Sequence, residues 1–289
     1  MDRRAGLTLT DTLVILAIVA VGLGFVLPML QSPRMIVCRV YCDNNLKNIA
    51  LGVNQYCLRE GSFPVNTTAT PTSGLAHSWM ALVMADVDEA GIYNNYNFAV
   101  PHDFDAAASG ATPNSDLAST GIRIFRCPEN RLGSRIDRAF APSDYGANWG
   151  GGRLPSLGDD FARTRGNNRG VMIPVGFPCP RGLTAAVRPR DVTDGLATTV
   201  LLAEKRDGRG WAVPGLGGGD FDVATSPAPP DRPEGRAVVS GSFHGSDGEF
   251  INAAFADGSV RPLRRSTARA VWYALVTRDG GEPVGSDAY

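Results

Sequence analysis

The sequence predicts an α+β fold in which one long N-terminal helix packs on an antiparallel β-sheet with long loops. Three observations support this prediction. A helical pattern runs from about residue 8 to residue 60, short β-type segments follow it, and the 289 residues include 34 glycines and 20 prolines. Because 43% of the residues are apolar, the chain can still bury a core. We therefore expect a globular, loop-rich protein.

The first half of the long helix is apolar on every side. Asp11 is the only charged residue between Leu7 and Leu30, and residues 12–30 form an uncharged run of 19. At about 1.5 Å per residue, some 24 helical residues cross a hydrocarbon core of about 30 Å. We expect one transmembrane span over residues 7–30. Arg3 and Arg4 precede it, which predicts a cytoplasmic N-terminus and an extracytoplasmic C-terminal part on an inner membrane.

From residue 31 to residue 60 the helical pattern becomes amphipathic. Apolar residues recur at spacings of three and four on one face: Leu46, Ile49, Ala50, Val53, Tyr56 and Cys57. Gly61, followed by Phe63-Pro64, predicts the end of the helix. Two surroundings explain the change of pattern. Lipid or partner helices would cover the first half, and a folded extracytoplasmic domain of residues 61–289 would cover one side of the second.

Three interpretations of the N-terminus compete. A secretory signal peptide has a shorter apolar run and a small-x-small cleavage site, which residues 28–32 do not supply. A simple anchor helix explains the length but not Asp11, because a carboxylate in a span costs roughly 2–3 kcal/mol unless it is paired. A leader of residues 1–6, cut between Gly6 and Leu7, would free an α-amino group close to Asp11 and so provide a partner for the carboxylate.

The segment Gly6-Leu7-Thr8-Leu9-Thr10-Asp11, preceded by two arginines, resembles the N-terminus of type IV pilins and pseudopilins. In that family a basic leader ends in Gly, the first mature residue is apolar or aromatic, and the fifth is acidic. Here Leu7 replaces the usual Phe and Asp11 replaces the usual Glu. The resemblance implies a pilin-like fold, a prepilin peptidase as a partner, and self-assembly with other pilin-like subunits in which Asp11 takes part.

Beyond the long helix, the sequence predicts one further helix and several strands. Residues 79–90 read as a helix with Ser78 as its N-cap. Residues 122–125 alternate like a short strand, and residues 198–203 form a continuous apolar run that is typical of a buried strand. The clearest hairpin covers residues 251–263, in which Asp257-Gly258 is the pair that a type I′ turn prefers.

Several sequence strings together are similar to the DUF1559 family, whose members are pilin-like proteins with a C-terminal His-X9-Asp-Gly element. The strings span about residues 4–285 and include Cys42-Asp43-Asn44-Asn45-Leu46-Lys47, Phe125-Arg126-Cys127-Pro128, Ser143-Asp144-Tyr145-Gly146, Val192-Thr193-Asp194-Gly195, Phe255-Ala256-Asp257-Gly258-Ser259-Val260 and Thr277-Arg278-Asp279-Gly280-Gly281-Glu282. Twelve residues, not nine, separate His244 from Asp257 here, which lengthens the loop before the hairpin.

The resemblance also bears on the five cysteines. Cys42 and Cys127 stand at positions that match the family's cysteines, which implies a disulfide between the long helix and the sheet. Two buried but unlinked cysteines remain an alternative, and Cys38 is a rival partner one helical turn before Cys42. The resemblance supplies no established enzymatic activity.

No sequence pattern completes a catalytic or cofactor site. His244 with Asp247 or with Asp257 is a candidate acid–base or metal pair, but no third ligand accompanies it, and we interpret His244, Asp257 and Gly258 as a structural turn. The acidic loops at 158–160 and 219–222 offer oxygen ligands for Ca²⁺ without a twelve-residue ligand pattern. We therefore expect no enzyme, no metal and no cofactor. A net charge of −1 gives no basis for binding nucleic acid.

These expectations combine into one functional prediction and one alternative. The prediction is a structural pilin- or pseudopilin-like subunit, anchored in the membrane by its N-terminal helix and assembling into a type II secretion-like or type IV pilus-like structure. The alternative is an anchored extracytoplasmic binding module for a glycan or a protein that never polymerises. A cleavable Gly6 and an acidic Asp11 favour the first, because an anchor that stays single needs neither.

Overall fold

The structure, a computed structural model, describes residues 9–68, 77–101, 114–128, 140–150, 169–173, 185–205, 210–214, 220–221, 250–264, 267–282 and 284–285. The α-helices there are α1 (Leu9–Glu60), α2 (Trp79–Val83), α3 (Ala90–Asn95), α4 (Asn114–Ala118) and α5 (Arg269–Val276). The strands are β1 (Tyr145–Asn148), β2 (Val200–Glu204), β3 (Asp220–Phe221), β4 (Phe250–Phe255) and β5 (Val260–Arg264). Short 3₁₀ turns lie at Met84–Asp86, Arg123–Phe125 and Pro189–Asp191.

Helix α1 is one continuous helix of 52 residues, as the sequence pattern predicts. It ends where expected: Gly61 adopts a left-handed φ of 75°, and its N–H donates to the carbonyl of Cys57 over 2.9 Å. The predicted apolar face is buried at Leu46, Ile49 and Val53. Searched over the residues that are described, no helix has both the length and the apolar character that a membrane crossing requires.

The strands form one sheet in the order β3-β1-β2-β4-β5. Strands β1, β2, β4 and β5 are antiparallel neighbours, and only the edge pair of β1 and β3 is parallel. The α+β prediction is therefore confirmed, with a parallel edge that the sequence did not predict. Strand β2 is buried along its whole length, which agrees with the continuous apolar run from which it was predicted.

Helices cover both faces of this sheet. On one face, the buried side of α1 packs in the same cluster as Leu202 of β2 and Ala254 of β4. On the other face, Trp272 of α5 packs with Ala253 and Phe255 of β4. Successive residues of β4 thus face opposite layers, as the two-residue period of a strand requires. The sequence analysis did not predict α5.

The helix predicted at residues 79–90 is wrong in its extent. Ser78 caps α2, since its Oγ accepts from the N–H of Ala81 over 3.3 Å. A 3₁₀ turn follows, and Asp88 then adopts a left-handed φ of 62°, which breaks the helix before α3 begins. The turn packs directly on α1 at Gly52, where an added Cβ would lie 2.9 Å from the carbonyl oxygen of Asp86.

The strand predicted at residues 122–125 is also wrong. The N–H of Phe125 donates to the carbonyl of Ile122 over 3.2 Å, and the N–H of Arg126 donates to that of Arg123 over 3.1 Å, so the segment is a 3₁₀ turn. Ile122 and Phe125 are buried, three residues apart. The apolar alternation therefore reflects one turn facing the core and not a pleated strand.

The predicted hairpin is present as β4 and β5, but its turn differs from the type I′ prediction. That turn type needs a positive φ at both central residues, and only Gly258, with a φ of 85°, has one. The N–H of Gly258 donates to the carbonyl of Phe255 over 2.9 Å, and the N–H of Phe255 donates to that of Ser259 over 2.8 Å. This is a three-residue loop that closes with a glycine bulge. The Asp257 carboxylate stabilises it by accepting from the N–H of Ser259 over 2.9 Å.

The Gly258→Val substitution should lower the free energy of unfolding by at least about 1–2 kcal/mol, because a β-branched residue is strained at this φ. An added Cβ would also lie 3.3 Å from Asn54 Nδ2 on α1. Thermal melting of the full chain measures the effect. Gly121→Val is the matched control, since that glycine has open space around it and no left-handed φ. Equal melting temperatures for the two variants would contradict the turn assignment.

Candidate functional site: the exposed helix and the disulfide junction

Between Leu9 and Gly22, helix α1 is an exposed apolar rod. Leu9 has 81% of its surface exposed and Ile18 has 67%. Eight large apolar side chains are exposed in this stretch: Leu9, Leu13, Val14, Ile15, Leu16, Ile18, Val19 and Val21. Asp11 lies among them in the first turn of the helix, where a carboxylate suits the positive end of the helix dipole. The predicted cleavage pair, Gly6 and Leu7, lies outside the described residues.

The outer half of α1 presents an apolar stripe opposite its buried face. At about 100° per residue, the members of this stripe fall within an arc of about 100°. The outer stripe consists of Val37, Val40, Tyr41, Leu51 and Leu58. Asn44, Asn48 and Gln55 share the same face, so it carries no charge until Arg59 at its end. Soluble domains rarely leave an apolar surface of this kind uncovered.

The predicted disulfide is present in the structure. Cys42 of α1 and Cys127 are bonded, with an S–S distance of 2.00 Å and a Cα–Cα distance of 5.0 Å. Cys38, the rival partner, is a free thiol, as is the buried Cys57. The bond joins residues 85 apart in the chain, for which the chain-entropy model gives a stabilisation of about 3–5 kcal/mol.

Asp144 organises the polar groups beside this bond. Its fully buried carboxylate accepts from the N–H of Cys127 over 2.7 Å and pairs with Arg126 Nε at 3.1 Å. Asn45 of α1 donates from its amide to the carbonyl of Arg126 over 2.9 Å. Both polar groups of the peptide bond between Arg126 and Cys127 are thus fixed: the carbonyl is bound to α1, and the N–H is bound to the residue that precedes β1. A buried charge that is hydrogen-bonded in this way is costly to disturb.

Glu204 and Tyr145 extend the buried polar cluster into the sheet. The Glu204 carboxylate accepts from the N–H of Asn252 on β4 over 2.8 Å. The Tyr145 hydroxyl donates to the carbonyl of Cys42 over 3.3 Å. Burial raises the pKa of Tyr145 well above its ordinary value, and the negative charges of Glu204 and Asp144 raise it further. This phenol is therefore a neutral hydrogen-bond donor and not a general base.

The Glu204 carboxylate also lies close to both disulfide sulfurs. One of its oxygens and the two Sγ atoms fall within 4.8 Å of one another. Each sulfur is already bonded to the other, so neither offers the thiolate that zinc coordination needs. In its oxidised form this cluster is structural.

The remaining candidates from the sequence divide into described and undescribed residues. Asp257 and Gly258 form the hairpin turn, whereas His244 and the acidic loop at 158–160 lie outside the described residues. Sequence reasoning missed the role of Asp144, Arg126 and Glu204. Arg126 and Asp144 stood in strings that resemble the family, but nothing in the sequence shows that these three residues converge on one disulfide.

The comparison with family models decides the relationship. The family described as "Protein of unknown function (DUF1559)" matches residues 31–270, which is most of the chain. This chain belongs to the DUF1559 family. The match begins after the apolar half of α1 and covers the disulfide, the polar cluster and the hairpin turn of this DUF1559 protein. Comparison with curated proteins and with solved structures gave no match.

Replacing Cys42 and Cys127 together by Ser should lower the free energy of unfolding of this DUF1559 protein by about 3–5 kcal/mol, because the unfolded chain regains the entropy of an open loop. Thermal melting measures the loss, and non-reducing peptide mapping of the parent protein should recover the linked pair. Cys38→Ser is the control and should change neither result. Free thiols at both positions in protein from the native compartment would contradict the assignment.

Proposed function

We propose that this DUF1559 protein is a structural pilin- or pseudopilin-like subunit of the inner membrane. A prepilin peptidase removes residues 1–6, the N-terminal helix anchors the product, and helices of neighbouring subunits bundle into a type II secretion-like or type IV pilus-like structure. The observation that carries the proposal is the long exposed helix. Its eight large apolar side chains between Leu9 and Val21 are exposed and find no core among the described residues, so we infer that lipid or other helices cover them.

Asp11 supports assembly more than simple anchoring. A carboxylate in lipid costs roughly 2–3 kcal/mol, and an amine beside it offsets that cost. Processing at Gly6 creates such an amine on Leu7, which can meet Asp11 of the same subunit or of a neighbour. The rest of the chain would then be displayed outside the membrane, stiffened at the Cys42–Cys127 junction.

Processing is tested at Gly6. The Gly6→Val variant should remain uncut, because a branched side chain crowds the glycine position of the leader. Intact mass measurement of membrane-extracted protein should show loss of residues 1–6 in the parent chain and a full-length variant. Gly22→Val is a control within the same helix, where an added Cβ meets nothing within 4 Å, and it should be processed normally. A parent protein that keeps Met1 would refute processing.

Assembly is tested at Asp11. The Asp11→Asn variant should still insert into the membrane and fold, but it should lose most self-association, since a neutral amide does not pair with an ammonium group. Crosslinking in native membranes measures the oligomers. Asp116→Asn, an exposed acid on α4, removes the same charge from the folded part and should leave the oligomers unchanged. Parent-level oligomers in the Asp11 variant would show that the pairing idea is wrong, whereas a parent protein that gives no oligomers would favour the non-polymerising binding module.

A further inference from the structure

A pocket of about 670 Å³ lies beside the disulfide. One wall is α1, at Tyr41 and Asn45, and the opposite wall is the segment from Gly121 to Pro128. The volume falls within the range of about 300–1,000 Å³ that is typical of small-molecule sites. The proposed assembly contacts, at Asp11 and the apolar side chains between Leu9 and Val21, do not include this pocket.

The lining combines apolar walls with positive charge. Tyr41, Ile122, Pro128 and Pro142 supply the apolar surface. Among the described lining residues, Arg123 and Arg126 are charged and none is a carboxylate. An occupant that fits this lining therefore carries an anionic group on an apolar body.

The two arginines are placed differently. Arg126 is held from two sides: Asn45 binds its carbonyl over 2.9 Å, and Asp144 pairs with its Nε at 3.1 Å. Arg123 is exposed, and within the described part of the chain its guanidinium has neither a hydrogen bond nor an ion pair. Arg126 is therefore fixed at the rim of the pocket, and Asp144 offsets part of its positive charge. The Arg123 guanidinium is unpaired among the described residues.

The disulfide makes this site pre-organised. It bonds Cys42, on the helix that forms one wall, to Cys127, on the segment that forms the other. The hydrogen bond from Asn45 to Arg126 spans the same two walls. A pocket whose walls are joined before binding loses little ordering entropy when a ligand enters.

We propose that this pocket binds a small organic carboxylate that has an apolar or aromatic body. The carboxylate would accept hydrogen bonds from Arg123, whose planar fork matches the two carboxylate oxygens. The apolar body would lie against Tyr41 and the two prolines. This site goes beyond the proposed function, because a subunit that failed to polymerise would keep it.

The test uses hippurate, a soluble aromatic carboxylate, and its neutral amide, N-benzoylglycinamide. Saturation-transfer NMR on the full chain in an uncharged detergent measures the dissociation constant of each. We expect hippurate to bind at least about tenfold more tightly than the amide, since the charge-assisted hydrogen bonds require the carboxylate. Equal binding of the two probes, or no binding of hippurate, would overturn the proposal.

Two arginine variants separate this site from general charge attraction. Arg123→Gln should weaken hippurate at least about tenfold and leave the amide unchanged. Arg190→Gln removes an exposed arginine from the Pro189–Asp191 turn and should not affect hippurate. Both variants should melt like the parent, because Arg123 holds no other described group. An equal loss of hippurate binding in the two variants would show nonspecific attraction and sink the proposal.

Discussion

The covalent bond between Cys42 and Cys127 is the constraint on which the arrangement of this molecule depends. It fixes one point of a 52-residue helix covalently to the chain segment around Cys127. Asp144 then connects the disulfide to the sheet. Its carboxylate holds the N–H of Cys127, and its carbonyl accepts from the N–H of Lys205, just after β2, over 2.7 Å. A loop-rich chain gains most from a constraint that closes a long loop.

A second polar clamp, which includes residues near the C-terminus, also uses a carboxylate to hold backbone N–H groups. The two Asp194 carboxylate oxygens accept from the N–H groups of Gly280 and Gly281 over 2.6 and 2.8 Å. The clamp fastens the segment after α5 to the turn before β2. It also explains why the Thr-Asp-Gly and Asp-Gly-Gly strings stood out in the sequence, because each supplies one half of the contact. Carboxylates thus hold irregular backbone in place where regular sheet or helix bonds are missing.

What the sequence could predict follows from how local each signal is. The buried face of α1 and the end of the helix at Gly61 depend on spacing within a few turns, and both were predicted. The break at Asp88 and the 3₁₀ turn at Phe125 depend on packing against α1, which a local pattern does not contain. Helix α5 was missed because only eight residues carry its pattern, and its burial is decided by β4 beneath it.

The candidate site divides in the same way. The disulfide was implied by resemblance, and spacing alone could not have paired Cys42 with Cys127 rather than Cys38. The pocket was not predicted, since its walls come from positions about 80 residues apart: Asn45 and Arg126 differ by 81. A site built across a long loop closure leaves no motif in the sequence. It becomes visible only when the two walls are placed together.

The pocket and the outer stripe of α1 share one residue, and this links the two proposals. Tyr41 is exposed on the stripe and also lines the pocket. A neighbouring subunit that covered the stripe would therefore reach the mouth of the pocket, whereas Arg123 lies on the opposite wall and is not part of the stripe. Since both events desolvate the same aromatic ring, assembly and ligand binding would be coupled through Tyr41. By linkage, if ligand binding changes the affinity between subunits by a given factor, assembly changes the affinity for the ligand by the same factor.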